Sequence, residues 1–407
     1  MSAAALAVAG CVEMADMPAP RPPVRPTGNP VVDGNAERAA APEKDRVLWD
    51  YRIAASALRA GDFTEAKAKL DDAITRIGGT ISGPDEAAQR ARGKFTAEAE
   101  KTFIGEPYER VMAYYYRGLL YWRDGQPDNA RACFRTGQFI DSYAADEVYQ
   151  SDYVLLDYLD GLASVKLSAD GSDRLARAEK LAKHPLPPYD PQANVLCFVE
   201  FGHGPRKIAA GQYHEQLRFA VEQSRVRSAA LSVGDQNLHF TPWDNLNFQA
   251  VTRGGRVMDF VLGNKAVFKK TTDTVGDLAF AGSAIAADNI YKEKTHVETL
   301  PGGRKREVTE VEKSEGAENT AIALGVIGLF SKIASAATQA QADTRTWDNL
   351  PQYLSFAALH LPAGEHPAIL QFFDAEGHMV STLTRRLTIT VGDPAHDTVV
   401  ILSELNR

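Results

Sequence analysis

The chain has 407 residues, of which 44% are hydrophobic and 24% charged, and it carries a formal net charge of −8 at pH 7. That is ordinary globular material, long enough for two or three domains with real cores, and its three cysteines exclude a disulfide scaffold. The negative balance and the lack of a basic stripe exclude a nucleic-acid partner, because phosphate binding needs a clustered positive field.

Residues 1–11 form a small-residue and apolar run, Ala3 to Gly10, ending at Cys11. The run resembles the end of a bacterial lipoprotein signal, which implies cleavage before Cys11 and lipidation of its thiol. It lacks a basic n-region and is short, which places the start of the signal upstream; the alternative is an alanine-rich terminus of a cytosolic protein. Residues 12–40 follow as a tether, since Pro18, Pro20, Pro22, Pro23, Pro26 and Pro30 favour extended polyproline II. Val12 offers no inner-membrane retention acid, so the resemblance implies an outer-membrane lipoprotein facing the periplasm, held to the membrane by its lipid. The most apolar run, Ala321 to Phe330, is short of the roughly 20 residues a bilayer needs.

Residues 41–188 carry helical periodicity. From Phe103 to Phe139, the offsets of Tyr114, Gly118, Tyr121, Gly125, Ala130, Phe134 and Gly137 resemble one tetratricopeptide unit, a helical hairpin. Small residues at 118 and 130 let two helices approach, and Gly125 permits the turn. A first unit runs from Trp49 to Ala73 with Gly61-Asp62 as its turn, and Gly78-Gly79 stops it. Pro84 to Lys101 reads as an extra helix. A degraded third unit spans Asp152 to Lys183 before the prolines at 185, 187 and 188. Such hairpins offer a concave face to a protein partner; the alternative is a small bundle packed against the rest of the same chain. Three consecutive tyrosines, Tyr114, Tyr115 and Tyr116, cannot share one helix face, so at least one points to a second packing partner or a binding groove.

After Pro191 the period changes to that of strands. Residues 189–272 supply strand candidates at Val195 to Phe201, Leu217 to Val221, Ala229 to Val233, Leu246 to Val251 and Arg256 to Val261. Residues 273–342 read as an insertion of two Ala/Gly-rich helices, Asp273 to Tyr291 and Glu318 to Thr338, joined by a charged hairpin or loop; their close packing is a route to a homo-oligomer. Residues 343–407 return to strands at Tyr353 to Leu361, Ala368 to Phe373, Val380 to Val391 and Thr398 to Leu402. The fold class is therefore α+β: a tetratricopeptide-like helical domain, then a mainly antiparallel β-sandwich-like domain with a helical insertion.

Phe103, Gly105-Glu106, Tyr108-Glu109 and Tyr115, then Glu200, Gly202, Gly204-Pro205 and Lys207, then Ala342 to Trp347 with Leu350-Pro351, and finally Leu361 to His366, resemble a family of uncharacterised bacterial lipoproteins. In that family tetratricopeptide-like helices precede a β-rich domain. The resemblance spans most of residues 41–402 and implies location and architecture rather than a reaction.

Little chemistry is legible. No histidine pair has metal-ligand spacing, so no metal and no cofactor is expected. Cys133 and Cys197 read as buried thiols. His203 and Arg206 lie in a Gly-His-Gly-Pro turn that lacks the order of a phosphate loop. The best polar constellation is Asp343, Arg345 and Trp347 with Asp348, which is either a ligand-recognising arginine or a structural latch. The expectation is a non-enzymatic envelope protein that binds other proteins through its helices. The alternative is a binder of a cell-wall glycan or small ligand at the junction of helices and strands.

Overall fold

A computed structural model describes residues 26–78, 102–142, 149–210, 216–221, 224–253, 291–299, 305–313 and 342–405. The chain is mixed α+β, with helices in its first half followed by largely antiparallel sheets. The helices are α1 (Pro30–Ala40), α2 (Arg46–Ala60), α3 (Phe63–Gly78), α4 (Pro107–Arg123), α5 (Pro127–Asp141), α6 (Val154–Lys166) and α7 (Ser172–Leu181).

The first of these corrects the tether. Pro30 starts a helix instead of extending the proline-rich segment to residue 40, because Asn29 caps it by accepting from the backbone N–H groups of Val31 and Val32. Proline is tolerated at the first helical position, where its missing N–H costs nothing. Gly34 then lets α1 lie close to α2, since a Cβ there would stand 2.8 Å from Ile53 Cγ1.

The α4/α5 hairpin follows from its small residues. A Cβ on Gly118 would stand 2.6 Å from Phe134 Cε1, and Gly125 holds φ 73 in the turn. A capping box, with Glu106 and Glu109 bonding each other's backbone, starts α4. The expected helix at Pro84 to Lys101 lies outside the described residues.

Strands β1 (Val195–His203), β9 (Pro351–Leu359), β12 (Thr398–Ser403) and β6 (Asp244–Asn245) form one sheet in the order β12-β1-β9-β6. A second sheet has the order β11-β10-β4-β5, from β4 (Ser228–Val233), β5 (Gln236–Phe240), β10 (Gly364–Phe373) and β11 (Arg385–Val391). All pairings in these two sheets are antiparallel except β1 with β12. Strands β2 (Arg206–Ala210) and β3 (Gln216–Ala220) form a separate ribbon.

Strand β1 is buried from Val195 to Gly202 and apolar there except for Glu200, because both its faces are covered. Leu196 and Phe198 join the helices in one core with Leu354 and Phe356, while Val195, Cys197, Val199 and Phe201 join the second sheet in another. The helices therefore share a core with the chain's own first sheet. Every residue of α6 from Val154 to Ser164 is buried, and α4 is buried except at Pro107, Tyr114, Tyr121 and Arg123. A helix buried all round has its apolar demand met within the chain.

Leu246 to Val251, expected as a strand, is the helix α8 (Leu246–Arg253). Leu246 and Ala250 are both buried in the helical core, and their spacing of four is a helical period that a six-residue apolar stretch leaves ambiguous. Within 273–342, β7 (Tyr291–Thr299) and β8 (Lys305–Lys313) pair as an antiparallel hairpin, where a charged hairpin or loop was expected. The flanking Ala/Gly-rich stretches and Arg256 to Val261 lie outside the described residues.

Candidate functional site: the seam between helices and sheet

The segment from Ala342 to Leu350 brings Asp343, Arg345 and Trp347 to the line where α2 and α4 meet the first sheet. Trp347 is fully buried and stacks on Tyr51 of α2 with ring centroids 4.3 Å apart and an interplanar angle of 15°. Its indole N–H donates to Asn349 Oδ1 at 2.7 Å, and Asn349 Nδ2 donates to Arg52 O at 2.9 Å. The tryptophan is thereby pinned from both ends.

Glu109, which opens α4, is the polar centre. Its buried carboxylate accepts from Lys207 Nζ at 2.6 Å, Glu106 N at 2.7 Å and Trp347 N at 2.8 Å. Lys207 Nζ also donates to Arg345 O at 3.0 Å, and its side chain is only 2% exposed. Burial pushes the Glu109 carboxyl above its ordinary range, against the opposing pull of the Lys207 ammonium. One ion pair thus joins the helices, the β2 ribbon and the segment before β9.

A second pair lies one strand away. Glu200 of β1 accepts from Arg59 Nε of α2 at 2.5 Å and from Tyr116 Oη of α4 at 2.6 Å. Burial, with the adjoining Glu200 carboxylate, drives the Tyr116 hydroxyl well above its usual range, so it serves as a fixed donor. Asp397, just before β12, accepts from Trp122 Nε1 and Lys166 Nζ, and Asp244 of β6 caps α6 through the N–H groups of Val154 and Leu155.

Arg345 is held inside this frame. Its guanidinium donates to Asp343 through Nε at 2.9 Å and Nη2 at 2.6 Å, and to Asp45 through Nη1 at 2.6 Å, with the side chain 15% exposed. This geometry is that of the latch. The three tyrosines divide as their helix positions require: Tyr115 and Tyr116 are buried toward Phe198 and Trp347, and Tyr114 is half-buried. His203 and Arg206 are exposed, and it is the neighbouring Lys207 that reaches the seam. Gly204 is needed because a Cβ there would stand 2.8 Å from Leu350 O. Cys11 lies outside the described residues.

Cys133 and Cys197 are free and buried, and burial pushes both thiols up to about 12, so neither is a nucleophile near neutrality. Among the described residues, one group of metal-capable atoms, on Asp374, Glu376 and His378, lies within 4.8 Å in a turn after β10. Asp374 Oδ1 there accepts from the backbone of Glu376 and His378, which is ordinary turn chemistry.

Sequence reasoning placed Glu109, Glu200 and Lys207 within the family resemblance without giving them a role. Glu109 and Lys207 are 98 positions apart, and Glu200 and Arg59 are 141 apart; only Glu200, a lone charge in an apolar run, carries a local signal of its buried pair. Comparison with protein-family models, curated proteins and solved structures finds no match.

Proposed function

We propose that the chain is a non-enzymatic, lipid-anchored protein of the cell envelope that binds another protein through tetratricopeptide-like helices, with a β-sandwich-like half as rigid backing. The observation that carries the reading is the division of labour among the helices. The inner row, α2, α4 and α6, is spent on the first sheet, so recognition belongs to the outer row, α3, α5 and α7. In α7 only Ala178 is buried, and α5 presents Phe139 at 50% exposure. The seam supports the backing role, because it ties the helices to the sheet by buried ion pairs. The small-residue run ending at Cys11 and the prolines that follow support the anchor.

The test is site-specific photo-crosslinking in the native envelope. A photoreactive residue replacing Thr136 on α5 is expected to give a discrete protein adduct, and one replacing Thr388 on β11 is not. Equal adducts from both positions, or none from α5, overturn the reading. For the anchor, mass spectrometry of the mature protein is expected to find diacylglycerol on Cys11, and an unmodified Cys11 overturns it.

A further inference from the structure

Four strands end the two main sheets, and three of them are poor templates for another chain. Strand β6 is two residues long and runs straight into α8, β11 carries Arg385 and Arg386, and β5 offers the exposed polar residues Gln236, Asn237 and His239. Strand β12 differs from all three. Its residues Thr398, Val399, Val400, Ile401 and Leu402 include no charge and no proline.

Both faces of β12 are covered, and its edge is not. Val399 and Ile401 pack onto the core shared with the helices, and Val400 and Leu402 onto the core between the two sheets, yet all four stay half-buried. The neighbouring β1, with the same two faces covered and strands on either side, is buried from Val195 to Gly202. Thr398 N donates to Asn194 O at 2.7 Å and Glu404 N to Glu200 O at 2.9 Å, which sets the phase of the parallel ladder. Even-numbered residues of β12 bond β1, and odd-numbered residues turn their backbone groups away from it. The N–H and C=O groups of Val399 and Ile401 therefore have no backbone partner among the described residues. Ser403 is buried, so the open edge ends at Leu402. Both ends of the strand are pinned: Asp397 accepts from Trp122 Nε1 and Lys166 Nζ, and Glu404 Oε2 accepts from Gly202 N at 2.6 Å.

Unmet backbone groups at every second residue of a fixed strand are met in full by another extended chain. We propose that this chain is β12 of a second copy, paired antiparallel about a two-fold axis at Val400. In that register Val399 exchanges both its backbone bonds with Ile401 of the second copy, and Ile401 with Val399, so every open group of both copies is met. Val400 lies opposite its own counterpart and Thr398 opposite Leu402. Apolar and β-branched residues thus meet one another and no like charges do. A two-fold contact sets one patch against itself, and an uncharged strand with its open groups placed evenly about one residue is self-complementary in that sense. The first sheet grows from four strands to eight. This contact goes beyond recognition by the outer helices and does not depend on it.

Sedimentation velocity of the chain carrying Cys11→Ser tests the pairing. A monomer at about 1 μM and a dimer at about 100 μM are expected, as suits a contact built on one short strand. Val399→Pro removes an N–H that the described chain leaves unbonded, a change that an edge strand tolerates, and is expected to weaken dimerisation at least about tenfold. The melting temperature of the monomer should change little. Val400→Cys gives a readout independent of how that variant folds. Antiparallel partners that share no hydrogen bonds have Cα atoms about 4.5 Å apart, within disulfide range, so oxidised glutathione is expected to link two copies at this position. Asn237→Cys, on the far edge of the second sheet, is the control and is expected to give no linked dimer. A chain that stays monomeric at about 100 μM, a dimer that Val399→Pro leaves equally tight, or linkage from Val400→Cys no greater than from Asn237→Cys each overturns the proposal.

Discussion

Replacing Lys207 by methionine separates the seam's ion pair from its shape. Methionine has about the length of the lysine stem, so the principal loss is the ammonium that meets Glu109 Oε2 at 2.6 Å. Glu109 then keeps two backbone donors, from Glu106 and Trp347, but has no countercharge in a site closed to water. Breaking a buried pair from one side typically costs about 3–5 kcal/mol, most of it the penalty on the charge left behind. Glu109→Gln with Lys207→Met removes both charges and is expected to recover most of that loss. The pH dependence carries the sign. Burial already raises the Glu109 carboxyl, and without Lys207 it rises further, so the folded state binds a proton more readily than the unfolded chain. The single variant should therefore regain stability as pH falls, and the double variant should show no such gain. Urea denaturation followed by tryptophan fluorescence across that range measures both. A single variant within about 1 kcal/mol of wild type, or a double variant no better than the single, would mean that Glu109 does not depend on Lys207 for its countercharge.

Arg345→Ala is expected to lower the melting temperature through loss of its pairs with Asp343 and Asp45, by about 1–3 kcal/mol in chemical denaturation; an unchanged stability contradicts the latch. Gly118→Leu drives a side chain into Phe134, where even a Cβ stands 2.6 Å from the ring, and should cost about 1–3 kcal/mol or more by thermal melting. Asp50, buried beside Arg38, is raised from the ordinary 3.8 to about 6, chiefly by burial. Between those pH values the folded state holds more protons, so this group's contribution to stability falls as pH rises through the window, by about 3 kcal/mol at most. Asp50→Asn removes that slope, which comparison of melting curves at about pH 4.5 and about pH 7 reads directly.

The hairpins were legible because their signals are local. Gly118 and Phe134 sit at offsets that only close helix packing explains, and Gly61 and Gly125, both with positive φ, stand where the turns need them. Strand β1 was legible from its near-continuous apolar run, broken at Glu200. Two errors have local causes as well: prolines before residue 30 hid the helix that Pro30 opens, and the spacing of Leu246 and Ala250 suits either period over six residues. The seam was legible only on one side. Asp343 and Arg345 are neighbours in sequence and announced their pairing, whereas Asp45 lies 300 residues from Arg345 and Lys207 lies 98 from Glu109. Contacts of that span leave no periodic trace. The burial of Tyr115 and Tyr116 was half-readable, since three adjacent tyrosines demand a second surface, yet the sequence does not say that the surface is the chain's own sheet.

Helices and sheet form one body closed along the seam. Native-state hydrogen exchange of the Trp347 amide, which donates to Glu109, tests it most directly against Met112 in the helical core and Val199 in the sheet. One opening free energy shared by all three amides is expected. A Trp347 amide that exchanges far faster than the other two, while both cores stay protected, would contradict it.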